Sequence, residues 1–395
     1  MNVLFLMIAY PDVHYNSSMY TDLALEFASR GYYVSVVVAN GPHKTHLNLE
    51  GGIKVLRVKT LELFNTSFIM KGLANILLPH QVYQGIKQYM NSIHFDAVIV
   101  STPPITYMST IKKLKEKYSA KVYLILRDIF PQNARDLGII NNPILFRLFR
   151  KQEKYIYAIS DYIGCMSQGN IAYLIEHNPE VIQSKLHLLP NWKNVMKYNY
   201  PDLSLKQQLG LENKFIALYG GNFGKPQQIE AILELAKELI YLKDVVFLLV
   251  GDGSEKRRII DQVSKKGLSN VIIKEPLPRS RYQELVKICD VGLVSLSTNF
   301  TIPNIPSRTL SYWEAKIPIL ASIDKNTDFK TILEDSDSGL WSFTGDTDSY
   351  KKNFENLYSN KSLRIKMGEN GYKYLNENCT TSRAFAIINE KLMST

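Results

Sequence analysis

Four short segments of this chain carry residues that could hold an anion together with a flat base. The first is Lys214–Glu230, KFIALYGGNFGKPQQIE. An apolar run from Phe215 to Tyr219 enters the turn Gly220-Gly221-Asn222-Phe223-Gly224, and a helical pattern follows from Gln227. A glycine-rich turn between a strand and a helix aims backbone N–H groups and a positive dipole end at one point, which suits phosphate. Lys225 adds a mobile cation. The plainer reading is a tight strand-to-helix connection.

Three more loops follow at corresponding places. Gly251, Asp252 and Gly253 end the next apolar run, with Ser254 as an expected N-cap for the helix after it. Glu275, Pro276 and Leu277 follow the run after that, where a proline-fixed loop can offer donors and acceptors to a base. In Ile305-Pro306-Ser307-Arg308-Thr309-Leu310, Ser307 reads as an N-cap and Arg308 as a charge in the first helical turn. An ordinary capped helix with a solvated arginine would look the same. Three ligand-type loops in register are what turn this set from turn chemistry into a nucleotide-type site.

Outside that set, Asp128 ends an apolar run and precedes a proline-bounded turn. It either faces a reacting group, or caps a helix or pairs with Arg127 or Arg135. The triplets Asp335-Ser336-Asp337 and Asp346-Thr347-Asp348 sit in polar loops and read as solvated acids. His43 and His46 lie in a polar stretch with no further ligand beside them, so no metal site is expected.

The elements that must position these loops come in two similar series. Strand-like segments at Asn2–Ala9, Tyr33–Ala39, Ile53–Val58, Ala97–Ser101, Val122–Arg127, Tyr162–Met166 and Leu186–Leu189 alternate with helical ones. The pattern restarts at Phe215–Tyr219, Val245–Val250, Val271–Ile273, Val291–Ser295, Ile319–Ala321 and Gly339–Ser342. Apolar strands separated by helices imply parallel sheets covered on both faces. The polar stretch Pro190–Leu205 is the natural linker. The expectation is an α/β chain with two Rossmann-like domains facing across a cleft, residues 1–195 and 196–374. A C-terminal helix at about 375–395 is expected to pack back on the first.

Composition narrows the class. The chain has 395 residues, 45% hydrophobic and 21% charged, as expected of a folded soluble protein. Cys165, Cys289 and Cys379 are isolated and read as buried thiols of a reducing compartment. The N-terminal MNVLFLMIAY reads as a core strand rather than a signal peptide. Net charge is +10, and residues 1–195 hold 20 Lys and Arg against 13 Asp and Glu, seven of that excess. A basic half suits phosphorylated substrates or anionic lipid, whereas nucleic acid is disfavoured because no recognition motif or basic tail accompanies it. Segments 61–90 and 144–159 interleave apolar and basic residues, as an interfacial helix or a core-facing helix with a solvated face would.

The order YGGNFGKPQ, LLVGDGSE, EPLPRSRYQELVKICDVGLVSL and IPSRTLSYWEAKIPILAS resembles the donor domain of the GT-B retaining glycosyltransferases of family 4. More narrowly it is similar to the bacterial surface-polysaccharide branch that includes L-FucNAc transferases. The N-terminal half fits the same resemblance through Pro11–Tyr20, Arg127-Asp128-Ile129-Phe130-Pro131-Gln132 and Pro190-Asn191-Trp192. The resemblance implies transfer, with retention, of a sugar such as L-FucNAc from a UDP-sugar to an undecaprenyl-diphosphate-linked saccharide. That would take place in the cytoplasm at the inner face of the membrane, for capsule or O-antigen synthesis, with no cofactor and no metal. It implies Asp128, Lys225 and Arg308 as catalytic. Gly220 to Gly224, Gly251 to Gly253, Glu275 to Leu277, Pro306, Ser307, Thr309 and Ser311 would bind donor. Tyr10, Asn16, Ser17, Ser18 and Arg127 would lie on the acceptor side.

The chain departs from the family at its paired glutamates, spaced E-x7-E near the donor sugar and ribose: Pro303 and Ser311 stand there. Glu314, three residues after Ser311, is the nearest acid on that helix face. A non-hydrolysing UDP-sugar epimerase and a degenerate GT-B scaffold remain the alternatives at this stage.

Overall fold

The computed structural model describes residues 1–12, 17–63, 66–196, 198–202 and 204–394. The chain divides into two compact units, one formed by Met1–Asn194 with Thr381–Thr395 and the other by Val195–Thr380.

The first unit is built on an eight-stranded sheet in the order β3-β4-β2-β1-β5-β6-β7-β8. These are β1 (Asn2–Met7), β2 (Tyr33–Ala39), β3 (His46–Glu50), β4 (Ile53–Val58), β5 (Ala97–Thr102), β6 (Lys121–Leu126), β7 (Tyr162–Cys165) and β8 (Leu186–Leu188). All neighbours pair in parallel except β3 with β4. β3 is an edge strand that the sequence hid. Its Leu47 and Leu49 face solvent, so HLNLE lacks the unbroken apolar run by which the central strands announce themselves. His46, read as part of a loop, opens this strand. On one face, Phe27 of helix Met19–Ser29 meets Phe385 of helix Thr381–Met393 with ring centroids 4.7 Å apart. The chain re-enters this unit only at Thr381, because residues 375–378 complete the helix Lys361–Asn378 of the other unit.

The second unit is a six-stranded, all-parallel sheet, β11-β10-β9-β12-β13-β14. Its strands are β9 (Phe215–Asn222), β10 (Val245–Asp252), β11 (Val271–Lys274), β12 (Val291–Ser295), β13 (Ile319–Ile323) and β14 (Gly339–Phe343). Helix Glu230–Glu238 buries Ile232, Leu233, Leu235 and Ala236 on this sheet, a stripe of helical period. The strand order reverses at β9, which has β10 on one side and β12 on the other. In open α/β sheets that switch point, at the carboxyl ends of the strands, is where ligands bind.

Candidate functional site

Gly220 and Gly221 of the first loop lie within β9, and only Gly224 follows it. β9 runs on to Asn222, and its pairing with β10 continues through Gly221↔Gly251 and Asn222↔Asp252. A short 3-10 turn, Lys225–Gln227, then precedes the helix, which begins at Glu230 and not at Gln227. The expected direct entry from turn to helix is therefore corrected. Packing explains most of these glycines. A Cβ on Gly251 would sit 1.8 Å from the Gly221 carbonyl oxygen, and one on Gly253 2.5 Å from that of Phe223. A Cβ on Gly220 would sit 1.8 Å from the Tyr282 hydroxyl. The backbone laces the first two loops together, as the Phe223 N–H donates to Asp252 O (2.8 Å) and the Glu255 N–H to Phe223 O (2.8 Å). Phe223 turns its side chain into the core beside Tyr219, so only its backbone faces the loop. Gly224 is buried, whereas Asn222 and Lys225 are exposed.

Gly221 has a different reason to be glycine. Its φ is +136°, and a Cβ there would lie 3.4 Å from the guanidinium carbon of Arg308. Arg308 precedes helix Thr309–Glu314, and its guanidinium carbon stands 4.1 Å over the Tyr219 ring. Its Nη1 is shut off from solvent and has no hydrogen-bond partner. The Tyr312 hydroxyl accepts from Gly220 N–H (3.2 Å) and lies 3.1 Å from Leu218 O, bracing the strand beneath. Burial raises the phenol pKa of Tyr219, and the nearby Arg308 charge opposes that rise. A cation thus rests on an aromatic floor with the N–H donors of one guanidinium nitrogen unspent. Sequence reasoning found Arg308 but not Tyr219, which borders the glycines, nor Tyr282 and Tyr312, which are remote from them in sequence.

Two expected caps are corrected. Ser307 is exposed, and Arg308 occupies the N-cap position with no side-chain cap bond; the local bond is from Thr309 Oγ1 to Pro306 O (2.7 Å). Thr309 and Pro306 are accordingly buried supports. Likewise Glu255, not Ser254, precedes helix Lys256–Lys265, again without a side-chain cap. Both helices start in ordinary turns that bond backbone to backbone. Ser311 is half-buried and Pro303 buried. Glu314 does not stand in for the missing acids, because its carboxylate is turned inward, accepting from Met196 N–H (3.3 Å) and Gln283 Nε2 (3.5 Å).

The second and third loops are joined by a residue the sequence did not single out. Lys256 Nζ lies 2.6 Å from Glu275 and 3.7 Å from Asp252, and Glu275, Pro276 and Leu277 are exposed beside it. Two acids of the triplets have structural partners: Asp337 pairs with Lys366, and Asp346 accepts from Ser349 N–H. No group of three or more His, Cys, Asp or Glu that could hold a metal occurs among the described residues.

In the first unit, the Arg127 guanidinium carbon stands 5.2 Å over the buried Trp192 ring, and the Trp192 indole N–H donates to Met19 O (2.7 Å). Arg127 Nη1 is buried and unpartnered, and burial lowers the guanidinium pKa. Asp128 is exposed just past β6. It makes no ion pair with Arg127 or Arg135 among the described residues, and the next helix, Gln132–Asp136, is preceded by Pro131. Burial raises its carboxyl pKa and Arg127 pulls it back. Ser18 spends its hydroxyl accepting from Thr21 N–H (3.2 Å) in a capping box, and Ser17 is half-buried. Tyr10 is a core residue, its phenol pKa raised by burial and its carbonyl accepting from Arg57 (3.1 Å). Asn16 lies outside the described residues.

Residues 203–374 match the family model for glycosyl transferases group 1, a span that contains every loop around Arg308. The chain is 26% identical over 254 residues to a protein described as "Probable glycosyltransferase WbjE" from Pseudomonas aeruginosa. That match covers 62% of this chain and 61% of WbjE. Among solved structures, Anabaena HepE in complex with UDP-glucose superposes with a TM-score of 0.74 at 15% identity, covering all of both chains. WaaG, a glycosyltransferase involved in lipopolysaccharide biosynthesis, superposes with a TM-score of 0.71 at 15% identity, over 98% of this chain and 99% of its own. The fold is GT-B.

Proposed function

We propose that this chain is a glycosyltransferase of bacterial polysaccharide synthesis that takes its sugar from a UDP-sugar. The observation that carries the reading is the unspent Arg308 Nη1 beside the open face of Gly221. The match of residues 203–374 to glycosyl transferases group 1, the likeness to WbjE and the UDP-glucose complex of HepE support it. Breaking the sugar C1–O bond leaves a diphosphate, and catalysis requires groups that meet that charge as it develops. Arg308 and exposed Lys225 supply cations without a cofactor, while Gly221 admits the phosphates close to the backbone. The Gly251–Gly253 and Glu275–Leu277 loops, tied by Lys256, hold base and ribose. Asp128 and Arg127 serve the acceptor. With no carboxylate at Pro303 or Ser311, the acceptor proton passes to the departing diphosphate on the same face, which retains configuration.

Ligand binding stabilises a fold by RT ln(1 + [L]/Kd), about 2.7 kcal/mol at a hundredfold excess over Kd. UDP at saturation is therefore expected to raise the melting temperature by roughly 5–10 °C, given about 2–4 °C per kcal/mol for units of this size. Differential scanning fluorimetry checks this, and no response to UDP or any UDP-sugar would sink the reading.

The finer reading takes the transferred sugar as an N-acetylated deoxyhexosamine such as L-FucNAc, and the acceptor as an undecaprenyl-diphosphate-linked saccharide at the inner face of the membrane. The membrane part of that reading is supported by an exposed apolar strip on helix Pro143–Ile159: Ile144 is 75% exposed and Leu148 53%, with Arg147 and Lys151 alongside. No helix among the described residues is long and apolar enough to cross a membrane. Apolar side chains flanked by cations favour an anionic bilayer surface. The protein is expected to co-sediment with phosphatidylglycerol vesicles but not phosphatidylcholine ones, and Ile144→Asp with Leu148→Asp is expected to abolish it. Equal sedimentation of the double variant would remove this surface from the account.

A further inference from the structure

The acid absent at Pro303 in sequence has a neighbour in space. Asp324 follows β13, and its Oδ1 accepts from Asn326 N–H (2.7 Å) and Thr327 N–H (2.9 Å), folding the chain into a tight turn. That turn grips the segment leading to Arg308 on either side of Pro303. Asn326 Nδ2 donates to Phe300 O, and Thr327 Oγ1 donates to Asn304 O at 2.8 Å. The other carboxyl oxygen, Oδ2, has no hydrogen-bond partner, in a residue only 2% exposed. The buried acids Glu50 and Glu153 have arginine partners, Arg57 and Arg150, whereas no cation pairs with Asp324 among the described residues. Burial raises its carboxyl pKa against the pull of its backbone N–H donors. An unsatisfied buried oxygen is costly, and a ligand hydroxyl is one partner that would satisfy it. It lies at the carboxyl end of a strand two places from β9 in the sheet, on the edge that carries the glycine loops.

We propose that Asp324 is a sugar-binding acid of the donor unit: its Oδ2 accepts a hydrogen bond from a hydroxyl of the transferred sugar, a contact that Pro303 cannot make. This rests on the nucleotide-sugar reading above. The bonds from Asn326 and Thr327 hold Phe300 and Asn304 against this turn, and the sugar reaches Oδ2 when that segment shifts. The donor class is then a UDP-hexose or UDP-hexosamine that keeps at least one free ring hydroxyl.

Asp324→Asn separates this role from turn-making, since the amide keeps an oxygen for the two backbone N–H groups and replaces only the second one. Dissociation constants for UDP, UDP-glucose, UDP-galactose, UDP-N-acetylglucosamine and UDP-N-acetylgalactosamine would be measured by titration calorimetry on both proteins. Wild type is expected to favour at least one sugar nucleotide over UDP. The variant is expected to lose about tenfold or more of that preference, as befits a hydrogen bond to a charged group, while UDP binds unchanged. Asp324→Ser gives the same comparison if the amide impairs folding. An equal ratio of UDP-sugar to UDP affinity in both proteins overturns the proposal and leaves the nucleotide site standing. Failure of wild type to bind UDP overturns both.

Discussion

Arg308→Ala is expected to lower sugar transfer by about 10²–10³-fold, the range seen when one preorganised donor to a developing anion is removed. The geometry behind that figure is specific. The guanidinium is held over Tyr219 at 4.1 Å and faces Gly221, whose positive φ leaves its open side toward it. Nη1 has no partner to lose, so the substitution removes no hydrogen bond of that atom from the folded protein. Activity and stability should therefore move apart, the melting temperature staying within a few degrees while turnover collapses. Arg308→Lys should recover little, because an ammonium cannot reproduce a planar fork lying on a ring. Tyr219→Phe keeps the ring under Arg308 but loses the hydroxyl's bond to Asn222 O (2.7 Å) and should fall only modestly, whereas Tyr219→Leu should lose a good part of the Arg308 effect. UDP release from the UDP-sugar giving the largest thermal shift, followed beside the melting temperature, reads out the whole set. Turnover by Arg308→Ala within a factor of about three of wild type would take Arg308 out of the chemistry, far short of the loss such donors carry.

The two-series architecture was legible because central parallel strands are buried on both faces and read as plain apolar runs. β3 was not, since an edge strand with Leu47 and Leu49 turned outward has the composition of a loop. The four loops could be placed from glycine and proline positions. Their inner logic could not, because the partners are remote in sequence: Tyr282 fills the space over Gly220, and Gly221 O fills the space over Gly251. Capping was misread at Ser254 and Ser307 for a related reason. A serine before a helix is a good cap only if the chain enters extended, and here each helix starts from a turn that already supplies its backbone partners. Glu314 illustrates the limit of helix-face reasoning. Spacing placed it near the site, but the chain at Met196 draws its carboxylate inward.

Gly251→Ala is expected to be among the most damaging single-methyl changes in the second unit. On propensity alone the change should be mildly favourable, since glycine inside a strand costs about 0.5–1 kcal/mol relative to alanine. No positive φ forbids alanine there, so the sign rests on space. The new Cβ would meet the Gly221 carbonyl oxygen at 1.8 Å and the Gly221 carbonyl carbon at 2.9 Å. Those atoms are backbone of the paired strand and cannot swing aside. Relief requires the carboxyl ends of β9 and β10 to separate, breaking the Gly221↔Gly251 and Asn222↔Asp252 register that carries the loops. Strain of this kind commonly costs about 3 kcal/mol or more, roughly 6–12 °C of melting temperature for this unit. UDP binding should weaken further, because the strand that moves is the one beside Arg308. Gly72→Ala is the matching control, as it lies on an exposed face of helix Phe68–Tyr89 with nothing within 4 Å of its Cβ. There only propensity acts, and a gain of about 0.5–1 kcal/mol is expected. Calorimetric unfolding of both variants with UDP titrations decides the matter: a Gly251→Ala protein that melts with wild type would mean that the β9–β10 ends do not meet as described.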